Sequence, residues 1–164
     1  EPESLFYLIG DNALVRLEQM FDVMEAMDGE FPGLPESWYW HGNEPGLHIP
    51  WLFAVMGERE LGNQWITWLM ENRYAAAPTA LAGNDDGGTL SAWYIFASMG
   101  FYPMAGTTRY VVGQSIWDRV DIPATGISIA KDGSDSSVWV DGEEWDNGYL
   151  NHGSFQTLRF GSPE

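Results

Sequence analysis

The chain has 164 residues, no cysteine, and seven Lys+Arg against 24 Asp+Glu, a formal charge of -17. Disulfide cross-links, thiolate metal sites and cysteine nucleophiles are thereby excluded. A basic nucleic-acid footprint is absent as well. The sequence holds no apolar run near the roughly 20 residues of a membrane-spanning helix. Glu1-Pro2-Glu3-Ser4 lacks the charged and apolar regions of a signal peptide, so export is not read from this chain.

With 45% hydrophobic residues the chain has the composition of a folded domain. Its nine tryptophans are unusual, and such flat apolar rings serve both cores and sugar-binding clefts. Helical periodicity dominates the first part, and short β-rich runs broken by Gly, Asp and Asn dominate the second. Asp11 or Asn12 is set to cap a helix ending near Ala26, with Leu14, Leu17, Met20, Phe21 and Met24 on one stripe. Gly29 stops it, and Pro32, Gly33 and Pro35 follow as a loop. Pro50 fits the first turn of a short helix over Trp51 to Met56 that Gly57 ends. A longer helix is expected from about Leu61 to Tyr74, with Trp65, Trp68 and Leu69 on one face. Residues 75–88 read as a loop. Thr89 to Met99 reads as a helix buried on all sides, because Leu90, Ala92, Trp93, Ile95, Phe96 and Met99 surround it with apolar groups. Gly100-Phe101-Tyr102-Pro103 reads as its stop, with core aromatics. Strands are expected at Arg109–Val112, Ile127–Ala130, Val138–Val140 and Thr157–Phe160. Lys131-Asp132-Gly133 and Asp141-Gly142 are the turn signals between them.

Two clusters can carry chemistry. His41-Gly42-Asn43-Glu44-Pro45-Gly46-Leu47-His48 sets two histidines, a carboxylate and an amide in a Gly/Pro loop before a helix. Asn43 and Glu44 offer the oxygens that a hard cation such as Ca2+ requires, and His41 and His48 suit sugar hydroxyls or a transition metal. The same pattern also fits a capped loop whose polar groups satisfy nearby backbone. The second cluster is Gly83-Asn84-Asp85-Asp86-Gly87-Gly88. Its carboxylates can act as a general base on water, or as a helix cap flanked by turn glycines. Trp38 and Trp40 lie in a loop, where one of them can form a sugar platform. His152 falls in an Asn-His-Gly turn and is expected to be solvated.

Taken in order, these motifs resemble glycoside hydrolase family 92. The resemblance rests on His41-Gly42-Asn43-Glu44-Pro45, His48, Gly83 to Gly88, Ser91-Ala92-Trp93-Tyr94 and Gly100-Phe101-Tyr102-Pro103, with Tyr110-Val111-Val112-Gly113 and Ile116-Trp117 behind them. Members of that family are calcium-dependent, exo-acting, inverting α-mannosidases. They join an N-terminal β-sandwich to an (α/α)6 barrel. The resemblance implies a mainly α chain with a β tail. Residues 1–106 would be the last helices of the barrel, and 107–164 a small antiparallel β segment. It implies Asp86 as the water-activating base with Asp85 second. Asn43 and Glu44 would be Ca2+ ligands, and His41, Glu44, His48 and Asn84 would contact substrate.

The family's general acid lies in a Glu-Gly-Asn type motif with no equivalent here, since Glu1 and Glu3 stand in another context. The isolated chain is therefore expected to be inactive. Its expected partners are a mannose-containing glycan and the missing sandwich and barrel portion of the same enzyme. An extracellular or periplasmic location is the family expectation. The alternative is a free-standing acidic carbohydrate- or calcium-binding module without catalysis. In this sequence Leu47 replaces one of two adjacent histidines of the motif, Gly87 a frequent cysteine, and Asn84 a residue acidic in some members.

Overall fold

A computed structural model describes residues 2–10, 12–27, 38–133, 136–146 and 149–162. The chain forms two compact units, Glu1–Ala92 and Trp93–Glu164.

The first unit is helical. Helix α1 (Pro2–Ile9) was not expected from periodicity. Its signals are local: proline in the first turn, Glu3 beside it, and Gly10 at φ 70° beyond its end, where the Gly10 N–H donates to the Phe6 carbonyl. Helix α2 (Asn12–Ala26) buries Leu17, Phe21 and Met24 of the predicted stripe, while Leu14 and Met20 are half-buried and Ala13 is buried in addition. The expected capping residue Asp11 and the Gly29 to Pro35 loop lie outside the described residues. The helix expected over Trp51 to Met56 is shorter: a 3-10 turn at Ile49–Trp51 runs into α3 (Leu52–Val55). Helix α4 (Arg59–Asn72) buries Gly62, Ile66, Leu69 and Met70. Trp65 and Trp68, expected on its buried face, are half-buried at its flank, with Trp65 5.1 Å from the Phe21 ring. Phe21 also meets Tyr39 at 4.8 Å and Phe53 at 5.7 Å, so one phenylalanine joins three segments. Residues 75–88 are loop, closed by one bridge between Tyr74 and Leu81 and a 3-10 turn at Asp86–Gly88.

Helix α5 (Thr89–Met99) spans the predicted residues. It is not buried all round: Ala92 is exposed, and Ile95 is 57% exposed while Leu90, Trp93 and Ala97 are sealed. An apolar composition does not identify which side is covered.

The second unit contains the sheets. Strands β1 (Phe101–Pro103), β2 (Arg109–Val112) and β7 (Tyr149–Asn151) form a three-stranded antiparallel sheet in the order β1-β2-β7. The stop expected at Gly100–Pro103 is thus also a strand. Strands β3 (Arg119–Ile122), β4 (Ile127–Asp132), β5 (Val138–Val140), β6 (Glu143–Glu144) and β8 (Thr157–Gly161) form a second sheet in the order β3-β4-β8-β5-β6.

This sheet corrects the expected antiparallel segment, because β4 and β8 run parallel. Asp141-Gly142 does make the tight β5–β6 turn, with φ of 51° and 87°. Lys131-Asp132-Gly133 joins strands that are not neighbours, since β8 inserts between β4 and β5. The insertion sets Leu158 opposite both Ile129 and Val140, and places Phe160 opposite Val138. Ile129, Val138, Leu158 and Phe160 are thereby sealed, with Phe101, Val112, Leu150 and Phe155, in one apolar cluster.

Candidate functional site

Both motifs lie in the first unit, and a glycine contact brings them together. A Cβ placed on Gly83 would stand 2.7 Å from the Gly42 carbonyl oxygen and 2.8 Å from its Cα. A Cβ on Gly42 would stand 2.5 Å from the Ala82 carbonyl oxygen. Only two glycines allow the backbones to meet so closely. The Trp40 indole N–H donates to the same Ala82 carbonyl at 3.1 Å, which fastens the loops across 42 residues of sequence.

His41 lies beneath this contact with no solvent exposure. Its Nδ1 is 2.8 Å from the Tyr39 hydroxyl and its Nε2 is 2.8 Å from the Tyr74 hydroxyl. The Tyr74 hydroxyl donates its proton to the Leu90 carbonyl at 3.1 Å. That hydroxyl therefore accepts from His41, which puts the ring proton on Nε2 and leaves Nδ1 to accept from Tyr39. The resulting relay holds a neutral imidazole. Burial, reinforced by the positive charge of Arg73, pushes the His41 pKa down to about 3. The relay links the 39–41 segment, the end of α4 and the first turn of α5. His41, expected at the substrate, stands here as an interior tie. Tyr39 and Tyr74 were not singled out in the sequence. The aromatic run before His41 is a signal for the first, but no local pattern pairs Tyr74 with a histidine 33 residues earlier.

The two aspartates have different surroundings. Asp85 caps α5: its Oδ1 accepts from the backbone N–H groups of Leu90 at 2.9 Å and Ser91 at 3.1 Å. Its Oδ2 accepts from the Ser91 hydroxyl at 2.5 Å. The Ser91 hydroxyl first, then the Ser91 and Leu90 N–H groups, hold the Asp85 carboxyl below the usual carboxylate range, with desolvation opposing them. Asp86 is exposed, and its carboxylate has no partner among the described residues. Its backbone carbonyl accepts from the Thr89 hydroxyl at 2.9 Å, which leaves the side chain out of the cap. Gly87 and Gly88, at φ 62° and 77°, turn the chain from Asp86 into the helix. Asn84 is exposed beside them.

In the first loop, Asn43 and His48 are exposed and Glu44 is half-buried at the start of a 3-10 turn, Glu44–Gly46. Asn43 and Glu44 are adjacent oxygen donors of the kind that Ca2+ takes. Among the described residues no group of three His, Cys, Asp or Glu side chains converges, so this loop offers only part of the six to eight oxygens of a calcium shell. Trp38 is 51% exposed and retains an open face, whereas Trp40 is held by Ala82. His152 is exposed, as expected, with its Nδ1 2.7 Å from the Tyr110 hydroxyl. No helix among the described residues is long and apolar enough to cross a membrane.

Comparison with known proteins agrees with these motifs. A solved α-mannosidase of family 92 from Bacteroides thetaiotaomicron is 30% identical and superposes with a TM-score of 0.73, over 88% of this chain and 21% of that one. Its complex with mannoimidazole gives the same values. A protein of Arthroderma benhamiae described as an uncharacterized secreted glycosidase is 30% identical over 87 residues, 52% of this chain and 11% of the relative. The chain thus spans about a fifth of the length of the solved relatives. Residues 1–162 match the glycosyl hydrolase family 92 catalytic domain, and the chain belongs to that family.

Proposed function

We propose that this chain is part of an inverting α-mannosidase that removes terminal mannose from glycans, and that Asp86 is its general base. The observation that supports the base role is the division of labour between neighbours. The carboxylate of Asp85 is committed to the cap, and that of Asp86 is exposed on a loop whose position the cap and the Gly42–Gly83 contact fix. An inverting glycosidase needs such a carboxylate to take a proton from the attacking water. A carboxylic acid about 6.5–9.5 Å away protonates the departing oxygen. That acid comes from a part of a longer protein, as do the β-sandwich and the other helices of an (α/α)6 barrel. In this division residues 1–106 end the barrel and 107–164 form its β appendage. Tyr7 and Leu8, 88% and 79% exposed on α1, are surfaces that further barrel helices would cover. The chain alone lacks mannosidase activity.

Asn43 and Glu44 would supply oxygen ligands to a Ca2+ ion, and His48 and Asn84 would face sugar hydroxyls. Such an ion would supply positive charge that polarises oxygen groups nearby. His41 acts through the loops: it fixes where Asn43 and Glu44 stand relative to Asp86. The family expectation of an extracellular or periplasmic enzyme agrees with the description of the fungal relative as secreted. The test is Asp86→Asn in the full-length enzyme, followed by mannose release from an α-mannoside. A general base is worth about 10²–10⁴-fold, so kcat should fall by that factor with KM nearly unchanged. Unaltered release removes Asp86 from the role.

A further inference from the structure

The outer face of the five-stranded sheet, in the second unit, carries a hollow of about 260 Å3 that the proposed mannosidase chemistry does not use. Its origin is the strand register. Arg119 pairs with Ala130, Ala130 with Arg159, and Arg159 with Trp139. These residues alternate with Ile129, Leu158, Phe160 and Val138, which seal the core, so they project to the opposite side. Alanine between two arginines leaves the depression. The next row, Ser128 opposite Thr157, adds two hydroxyls to its lining. Trp139 is half-buried, and its indole N–H donates to the Gly161 carbonyl at 2.9 Å, which fixes the ring at the edge of the hollow.

We propose that this hollow is a non-catalytic binding site for a neutral saccharide. The charge pattern selects the ligand class. Arg119 makes a two-point ion pair with Asp121, at 2.8 Å and 2.9 Å, and Asp121 also accepts from the Ser128 hydroxyl at 2.9 Å. Arg159 stands 3.9 Å from Asp132. The guanidiniums are thus matched by carboxylates, and the chain as a whole is at -17, so nothing here draws a phosphate or sulfate. Paired guanidinium and carboxylate groups instead offer donors and acceptors side by side, which vicinal hydroxyls satisfy together. An indole at the rim supplies an apolar platform for the C–H face of a sugar ring. Binding here would hold the chain on a glycan independently of the loops at 39–48 and 83–91.

The experiment is a titration of the isotope-labelled chain with methyl α-mannoside and methyl α-glucoside, followed by NMR of the amides and indole N–H groups. Saturable shifts at Trp139, Ser128 and Thr157 are expected, with a dissociation constant in the millimolar range that suits a shallow site. Ala130→Leu fills the hollow and Arg119→Ala removes an exposed donor, so each should weaken binding about tenfold or more. Asp86→Asn should leave it unchanged, which separates this site from the proposed base. Sodium sulfate in place of sugar should shift none of these signals. Absence of saturable shifts overturns the proposal, as do shifts confined to 39–48 and 83–91, or affinities indifferent to both hollow variants. Sulfate binding in the hollow overturns it in favour of an anion site. If another segment of a longer protein occupies the hollow, that protein shows no shift and the proposal also falls.

Discussion

The two units are specified in different ways. The sheet unit buries an apolar cluster in which Ile129, Val138, Leu158 and Phe160 interlock across strands. Such a core follows from alternation and volume, and many apolar residues of similar size would satisfy it. The helical unit adds a sealed polar device, the Tyr39–His41–Tyr74–Leu90 relay, in which each group has a directional partner. Apolar packing tolerates sliding and exchange, whereas a buried hydrogen-bonded chain fits one arrangement. The comparison indicates why the motif loops belong to the helical unit. Loops that must hold carboxylates and amides in fixed places gain more from directional contacts than from volume.

The largest test of this contrast is at Phe160. Phe160→Ala should cost about 3–5 kcal/mol in chemical denaturation, while Phe160→Leu should restore most of the loss, as apolar volume alone predicts. His41→Ala should cost about 2–4 kcal/mol, because it opens a cavity and removes the imidazole that joins the Tyr39 and Tyr74 hydroxyls. Here a similar-sized apolar substitution, His41→Leu, should rescue little. If leucine restores stability at 41 as it does at 160, the distinction between the units collapses.

Titration sharpens the same point. The His41 pKa is lowered to about 3 from 6.5, so between those values the unfolded chain holds a proton that the folded chain lacks. Stability should therefore fall as pH drops through that window, by about 1.4 kcal/mol per pH unit at its steepest. Thermal melts of the parent and of His41→Leu over pH 4 to 7, which takes in most of the interval between the two values, should differ in slope by that term. Equal slopes would remove the buried neutral imidazole from the account.

Gly83→Ala should cost about 1–3 kcal/mol, since the backbone of Gly42 must move to admit the methyl group. In the full-length enzyme it should also reduce mannose release. The smallest effect is expected within the acidic pair. Asp85→Ala should lower the melting temperature slightly and weaken hydrogen-exchange protection in the first turn of α5, and Asp86→Asn should change neither. A reversal of those two results would exchange the cap and the free carboxylate.

Much of the framework was legible. Leu17, Phe21 and Met24 of the α2 stripe, the span of α5 and the strands at 109–112 and 138–140 follow from spacing and composition alone. The two motif loops could be located from residue types, and their resemblance to family 92 agrees with the family match. Other features escaped, strands β3, β6 and β7 among them. Helix α1 is marked by Pro2 and Gly10 more than by a stripe. The parallel pairing of β4 with β8 contradicts its nearest turn signal, because a turn fixes only the strands that it joins. Ala92 and Ile95 proved exposed because nothing in an apolar helix names its uncovered side.

By itself, then, the sequence determined which residues alternate, which glycines interrupt, and which carboxylates stand together at 85 and 86. Only the tertiary structure decided that Asp85 is the cap and Asp86 the open group, that His41 is sealed between two tyrosines, and that Gly42 meets Gly83. The physical reason is range. Periodicity and turn chemistry act over a few residues, while a hydrogen bond or a backbone contact forms between groups that only the fold brings to the same place.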